Sequence, residues 1–304
     1  MEEKSSGGGS GGSITYYTVK FEENGGTDTS DVKVARNTKL AKPADPTKDG
    51  YIFEGWYTDE ATETPYNFER IVTQGLTLHA KWRKANVSDV LNTADHFAYI
   101  KGYQDNTVRP EDNITRAETT EIFYRLLDDE IRNKNIADEN SFKDTDLNAW
   151  YNTSVSTMTA IGTVVGRTKD TFAPDEFITR AEFAVICARF DNSEYEVAHT
   201  FADVENHWAE NEIYEAAAHG WIEGYDDGTF RPDEFITRAE AITMINRMLD
   251  RTPKTAGDLH QDMVKWADNN DENAWYYIAV QEAANNHSYT KDADGIEKWE
   301  QINK

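Results

Sequence analysis

The sequence predicts an α+β chain of more than one domain, a small β-rich module followed by a mainly helical array. Three observations lead there. Apolar residues alternate with polar ones over the first quarter of the chain, the period of half-buried strands. The tetrapeptide Thr-Arg-Ala-Glu then occurs three times, each time at the head of a helical pattern. The chain has 304 residues, where a single core typically organises roughly 100–200.

Residues 1–13, MEEKSSGGGSGGS, read as a Gly/Ser linker without a hydrophobic stretch. They are expected to be a spacer behind a longer upstream portion that carried any secretion signal. From Ile14 the pattern is strand-like. Tyr17, Val19 and Phe21 alternate, Asn24-Gly25-Gly26 supplies turn chemistry, and Val32 and Val34 form a second short alternation. Pro43, Pro46 and Asp49-Gly50 lead to Tyr51–Tyr57, and Leu76, Leu78, Ala80 and Trp82 alternate in a last strand. The segments Gly-Tyr-Ile-Phe-Glu-Gly-Trp-Tyr and Leu-Thr-Leu-His-Ala-Lys-Trp make residues 14–83 similar to a Listeria–Bacteroides repeat. The resemblance implies a β-grasp-like module of a bacterial surface protein, used as a spacer or weak adhesion unit.

Beyond Arg83 the chain repeats itself. Thr-Arg-Ala-Glu stands at Thr115–Glu118, Thr179–Glu182 and Thr237–Glu240. Before each copy lies a turn segment opened by glycine: Gly102 to Pro110, Gly166 to Pro174 and Gly224 to Pro232. After it comes a helical pattern, clearest where Ala239, Ile242, Ile245 and Leu249 share one face. A second kind of segment pairs an Asp with a Trp: Asp144 with Trp150, Asp203 with Trp208, Asp268 with Trp275. Each of these precedes an Ala-rich or otherwise helical stretch. The order begins with a turn-plus-helix half and ends with an Asp/Trp half, so the array is shifted by half a unit. The C-terminal residues 259–304 are therefore expected either to fold back and complete the first unit or to dock as an extra helix.

The runs Phe-Ala-Asp-Val-Glu-Asn-His-Trp-Ala, Gly-Trp-Ile-Glu-Gly-Tyr-Asp-Asp-Gly-Thr-Phe-Arg-Pro and Ile-Thr-Arg-Ala-Glu make residues 201–249 closely similar to an S-layer homology (SLH) domain. Residues 142–190 resemble it throughout and 91–127 resemble its second half. The resemblance implies a pseudo-threefold SLH trimer around a central helical bundle in residues 84–304, with units at about 84–133, 138–192 and 197–252 and residues 259–304 completing the first. It further implies grooves between units that bind secondary cell-wall polysaccharide, commonly through a pyruvylated N-acetylmannosamine. The expected role is a secreted, monomeric, non-covalent anchor at the cell wall of a Gram-positive-type bacterium. The alternative is a self-assembling S-layer lattice protein, which would be expected to bring a large assembly domain.

The motif also has a reading of its own. Thr at N-cap with Glu three residues on is a capping box, making Thr115/Glu118, Thr179/Glu182 and Thr237/Glu240 structural. Arg116, Arg180 and Arg238 fall at the first helical position, where a cation opposes the helix dipole; such a side chain beside free N–H groups suits an anion, or else pairs with a carboxylate of this acidic chain. Asp144, Asp203 and Asp268 are either hydroxyl acceptors for a sugar or caps of the following helices. Trp150, Trp208 and Trp275 are either sugar-stacking platforms or core. Gly102, Gly166 and Gly224 permit a turn or close backbone approach, with ligand contact secondary. The second unit departs from the pattern, with Arg167 where the others have Tyr103 and Tyr225, Lys169 where an acid is usual, and Ala173 in place of Arg109 and Arg231.

Composition narrows the function further. Thirty-one Lys+Arg against 56 Asp+Glu give a net charge of −25, which argues against nucleic acid or an anionic membrane as partner through a general basic field. No apolar run approaches the ~20 residues of a membrane span. Cys187 stands alone, so no intrachain disulfide forms, and its apolar neighbours mark it as a buried hydrophobe. Neither a Gly-x-Ser-x-Gly elbow nor a two-histidine ligand spacing is present, so no catalytic residue, metal ligand or cofactor is assigned. The Asp226-Asp227-Gly228 turn lacks the ligand series of a calcium loop and is read as a solvated turn.

Overall fold

The computed structural model describes residues 15–46, 48, 51–84, 90–191, 201–251, 253–292 and 295–303. The Gly/Ser segment and the Asp49-Gly50 turn lie outside them. The chain divides into two compact units, Met1–Ala85 and Asn86–Lys304.

In the first unit, β1 (Tyr16–Glu22), β2 (Val32–Ala35), β3 (Tyr51–Tyr57) and β4 (Leu76–Lys84) form one sheet in the order β2-β1-β4-β3. β1 and β4 run parallel, and the other pairs are antiparallel. Val19, Phe21, Val34, Trp56, Leu78 and Ala80 fill the core. A bulge between Phe53 and Gly55, where Gly55 takes φ +132°, breaks the two-residue period of β3. Phe53 and Trp56 thereby reach the same face and meet edge-on at 5.4 Å. Among the described residues of this unit there is no helix.

The second unit contains α1 (Arg116–Leu126), α2 (Asp129–Asn135), α3 (Asn152–Ala160), α4 (Arg180–Ala188), α5 (Glu210–Ala218), α6 (Arg238–Met248) and α7 (Tyr277–Ala284), followed by a hairpin of β5 (His287–Lys291) and β6 (Glu297–Ile302). α1, α4 and α6 start at the three Thr-Arg-Ala-Glu copies, and each has both bonds of the capping box. They pack against α3, α5 and α7, each the helix of an Asp/Trp half. One continuous core joins them, with Phe123, Phe172, Phe183, Phe190, Trp221 and Phe230 fully buried. Cys187 is free and buried within it.

The three copies are tied to one another by a relay of backbone bonds that closes on itself. Ile178 N–H donates to Ile114 O (3.1 Å), Ile236 N–H to Ile178 O (3.1 Å) and Ile114 N–H to Ile236 O (3.2 Å). The first helical amides follow the same circuit: Arg116 donates to Glu176 O, Arg180 to Glu234 O and Arg238 to Asp112 O, each at 2.9 Å. The next amides, those of Ala117, Ala181 and Ala239, donate to Pro174, Pro232 and Pro110. The sequence expectation of free amides at these helix starts therefore fails. A helix leaves its first N–H groups without intrahelical partners, and here a neighbouring copy and the capping threonine take them.

Two elements carry no expectation from the sequence, the short α2 and the β5–β6 hairpin. Asp128 caps α2 through the amides of Glu130 and Ile131, so a single local side chain accounts for it. The histidines, which show no ligand spacing along the chain, do meet at one place. His96 and His287 face each other at 3.1 Å beside Glu282 and Glu297.

Candidate functional site

The three arginines at the helix starts are buried, at 6, 3 and 4% exposure. Burial of a guanidinium is tolerated only where acceptors meet it. Nε of Arg116, Arg180 and Arg238 donates to the carbonyl of Phe172, Phe230 and Val108, respectively. Nη1 reaches the capping glutamate of the next copy: Arg116 to Glu182 at 3.2 Å, Arg180 to Glu240 at 2.8 Å, Arg238 to Glu118 at 3.0 Å. Each glutamate thus serves a capping box with one oxygen and a neighbouring arginine with the other.

The aspartates of the Asp/Trp halves do not cap helices. Asp144 accepts from the amides of Phe172 and Ala173, Asp203 from those of Phe230 and Arg231, and Asp268 from those of Val108 and Arg109, all at 2.7–2.9 Å. Ala173, Arg231 and Arg109 have φ of 62°, 58° and 54°, a conformation that side chains resist. A carboxylate bridging two consecutive amides holds the chain there. Burial opposes ionisation of Asp144, but the two amides outweigh it and keep its carboxyl below the usual range. The glycines belong to the same device. A Cβ on Gly102, Gly166 or Gly224 would stand 2.0, 2.4 or 2.5 Å from the ring of Trp266, Phe142 or Phe201. Each ring comes from the Asp/Trp half whose aspartate fixes that turn.

Trp150, Trp208 and Trp275 are 63–64% exposed, so these rings are surface and not core. Trp208 lines a groove of about 530 Å³ together with Arg116, Gly166, Arg167, Thr179, Glu182, Arg189 and Asp233. Three guanidinium groups face two carboxylates there. Burial and the nearby Arg167 both disfavour the charge on Arg116, which Glu182 supports. Arg116 has three donors engaged, by Phe172, Glu182 and Val165, of the five a guanidinium carries. The groove draws Arg116 from the first copy, Gly166, Thr179 and Glu182 from the second and Trp208 from the third. The aspartates lie beneath the turns instead.

The second unit departs from the other two in what surrounds its arginine–glutamate pair. In the first and third copies, Tyr103 and Tyr225 donate to Glu118 and Glu240 at 2.9 and 2.8 Å, lying over the arginine–glutamate pair. Arg109 and Arg231 stack on those phenol rings at 3.9 and 3.8 Å and pair with Asp105 and Asp227. In the second copy all three partners change together. Arg167 stands for the tyrosine and turns to Glu176, to Phe177 O and to Glu182 Oε2, while Lys169 and Ala173 replace the ion pair. Asp227 is also engaged by Thr229, so the Asp226-Asp227-Gly228 turn is tied within itself.

Arg189 was not singled out by the sequence. It is the C-cap of α4 and donates to Thr163 O at 2.9 Å. Its position just past an apolar helical run, where a cation complements the dipole, is the signal that finds it.

Residues 17–81 match the family model of the Listeria–Bacteroides repeat domain, and residues 90–120, 141–184 and 200–242 match that of the S-layer homology domain. The chain carries a Listeria–Bacteroides repeat followed by three S-layer homology domains. Over 214 residues it is 36% identical to a cellulosome-anchoring protein of Acetivibrio thermocellus, covering 67% of this chain and 46% of that protein. It is 34% identical over 210 residues to cell surface glycoprotein 1 of the same organism, covering 64% of this chain and 9% of that one. An amylopullulanase of Thermoanaerobacterium thermosulfurigenes is 30% identical over 175 residues, 54% of this chain and 9% of the enzyme. The chain spans less than half the length of each of these relatives. No helix among the described residues is long and apolar enough to cross a membrane.

Proposed function

We propose that the SLH region is a non-covalent, non-catalytic anchor holding its protein at the cell surface by binding secondary cell-wall polysaccharide. The relatives named as anchoring and surface proteins support the location, and the amylopullulanase fits an anchor appended to a separate catalytic portion. The observation that carries the binding reading is the groove of Arg116, Arg167, Arg189 and Trp208. A pyranose C–H face packs on an exposed indole, and an acidic substituent such as a pyruvyl carboxylate meets guanidinium donors. The groove lies between repeats of a pseudo-threefold trimer around α1, α4 and α6, supported by the closed relay through Ile114, Ile178 and Ile236. Residues 259–304 complete the first repeat, since Asp268 serves its turn as Asp144 and Asp203 serve the others.

Sedimentation of the chain with purified sacculi tests this, with the walls intact, stripped of polysaccharide, and freed of pyruvyl groups. Binding is expected only to intact walls; equal binding to all three refutes the anchor. Arg167→Tyr restores the lid seen in the other copies and removes a cation. A charge-assisted bond is worth ~1.5–3 kcal/mol, so the variant is expected to bind about 10–100-fold more weakly with an unchanged Tm. Unchanged affinity moves the site away from this groove.

A further inference from the structure

Four side chains from opposite ends of the second unit converge on one buried point. His96 lies near the start of the first repeat, Glu282 is on α7, His287 opens β5 and Glu297 opens β6; all are at most 5% exposed. His96 Nδ1 lies 3.1 Å from Glu282 Oε1, 3.0 Å from Glu297 Oε1 and 3.1 Å from His287 Nε2. His287 Nε2 lies 3.2 Å from Glu282 Oε2 and 3.3 Å from Glu297 Oε1. An imidazole nitrogen carries one proton or one lone pair, so hydrogen bonding cannot satisfy three such neighbours at once. Glu282 Oε1 is buried and makes no hydrogen bond despite its distance from His96. The nearest fixed cation is Arg251, 3.9 Å away.

From this geometry we infer a structural metal site, a closed His2Glu2 set for Zn2+. Four ligand atoms about 2.0–2.1 Å from a tetrahedral ion stand roughly 3.3 Å apart; His96 Nδ1, His287 Nε2 and Glu297 Oε1 lie 3.0–3.3 Å from one another, and with Glu282 the four ligand atoms all fall within 4.8 Å. Two imidazoles with two carboxylates favour a borderline transition ion over Ca2+ or Mg2+, which prefer more and all-oxygen ligands. The surrounding bonds orient the ligands as a metal requires. His287 Nδ1–H donates to Asn285 O at 3.0 Å, which turns Nε2 inward, and Trp299 Nε1–H donates to Glu282 Oε2 at 2.9 Å. With four protein ligands and no exposure, the ion has no open position for catalysis. It ties the C-terminal hairpin to the start of the first repeat.

The full chain, unfolded in urea, is refolded once with EDTA and once with excess ZnCl2, then dialysed. Elemental analysis is expected to give one Zn2+ per chain in the second sample, with a higher Tm than in the first. Co2+ in its place is expected to show the visible absorption of a tetrahedral centre. Glu297→Gln is expected to lose more than ~100-fold in Zn2+ affinity, while replacement of His260, which is not one of the four ligands, leaves stoichiometry unchanged. Zinc-free protein after refolding with excess ZnCl2, with equal Tm in the two samples, overturns the site and leaves a network of imidazolium–carboxylate pairs. That result needs no variant and is independent of glycan binding.

Discussion

Replacing Asp268 by Ala separates a chain end that completes the first repeat from one that is merely docked on it. Its carboxylate accepts from Val108 and Arg109 at 2.9 and 2.7 Å, across about 160 residues of chain. Asp203 makes the equivalent bonds at 2.8 and 2.7 Å within its own repeat. A hydrogen bond to a charged group contributes ~1.5–3 kcal/mol, and water can reach these partly exposed amides, so two bonds are worth about 2–3 kcal/mol at the lower end of that scale. For a unit of this size, 1 kcal/mol moves Tm by roughly 2–4 °C, giving a drop of about 5–10 °C. Calorimetry on Asp268→Ala and Asp203→Ala is expected to give equal losses. Hydrogen exchange should quicken at Val108 and Arg109 in the first and at Phe230 and Arg231 in the second. If Asp268→Ala melts like the parent and leaves Val108 protected, the C-terminal segment is an accessory and the completion argument is wrong.

Gly224→Ala places a methyl 2.5 Å from the Phe201 ring and 2.7 Å from Thr229 O; overpacking of this kind costs ~1–3 kcal/mol, read as a lower urea midpoint. Gly257→Ala, whose nearest neighbour is 3.6 Å off, is the control expected to change little. Glu215 has its pKa raised from 4.5 to about 7 by burial and then by hydrogen bonding and repulsion from Asp191. Because the folded pKa is the higher one, its contribution is fully present below pH 4.5 and is lost as pH rises through 7. Glu215→Gln is expected to flatten the fall of Tm between pH 5 and 8 by the equivalent of about 1 kcal/mol, discounted for partial exposure; an unchanged slope refutes the assignment.

The helix starts are legible because a capping box is written in four consecutive residues, and Thr115, Thr179 and Thr237 each make it. The strands of the first module are legible for a similar reason, since alternation is local, while the bulge that turns Phe53 and Trp56 to one face is not. The destinations of Arg116 and Asp268 are illegible because their partners lie 66 and 160 positions away. Burial of the arginines reverses the simple reading of N-terminal cations. A charge opposing its own helix dipole is offset by the glutamate capping the next helix. The histidines failed to signal anything because His96 and His287 are 191 residues apart. The hairpin that unites them has a signal in the His-Ser-Tyr-Thr alternation before Asp-Ala-Asp-Gly.

Under the proposed function the groove also resolves the conflict between a chain of net charge −25 and an acidic ligand. Charges beyond a Debye length of about 8 Å are largely screened at physiological salt, so the distant carboxylates matter less than the three guanidiniums at contact. The change from tyrosine to Arg167 acts twice in that setting. It removes the phenol that covers the arginine–glutamate pair in the other copies, and it adds a cation at the rim. Lys169 and Ala173 follow from the same change, because without a phenol ring there is nothing for an arginine at 173 to stack on, and without that arginine an acid at 169 has no partner. The second repeat is therefore a coherent variant and not a decayed copy. On the proposed reading its groove offers an anionic sugar both ion pairing and stacking on Trp208, while Tyr103 and Tyr225 lie over the corresponding arginine–glutamate pairs in the other copies.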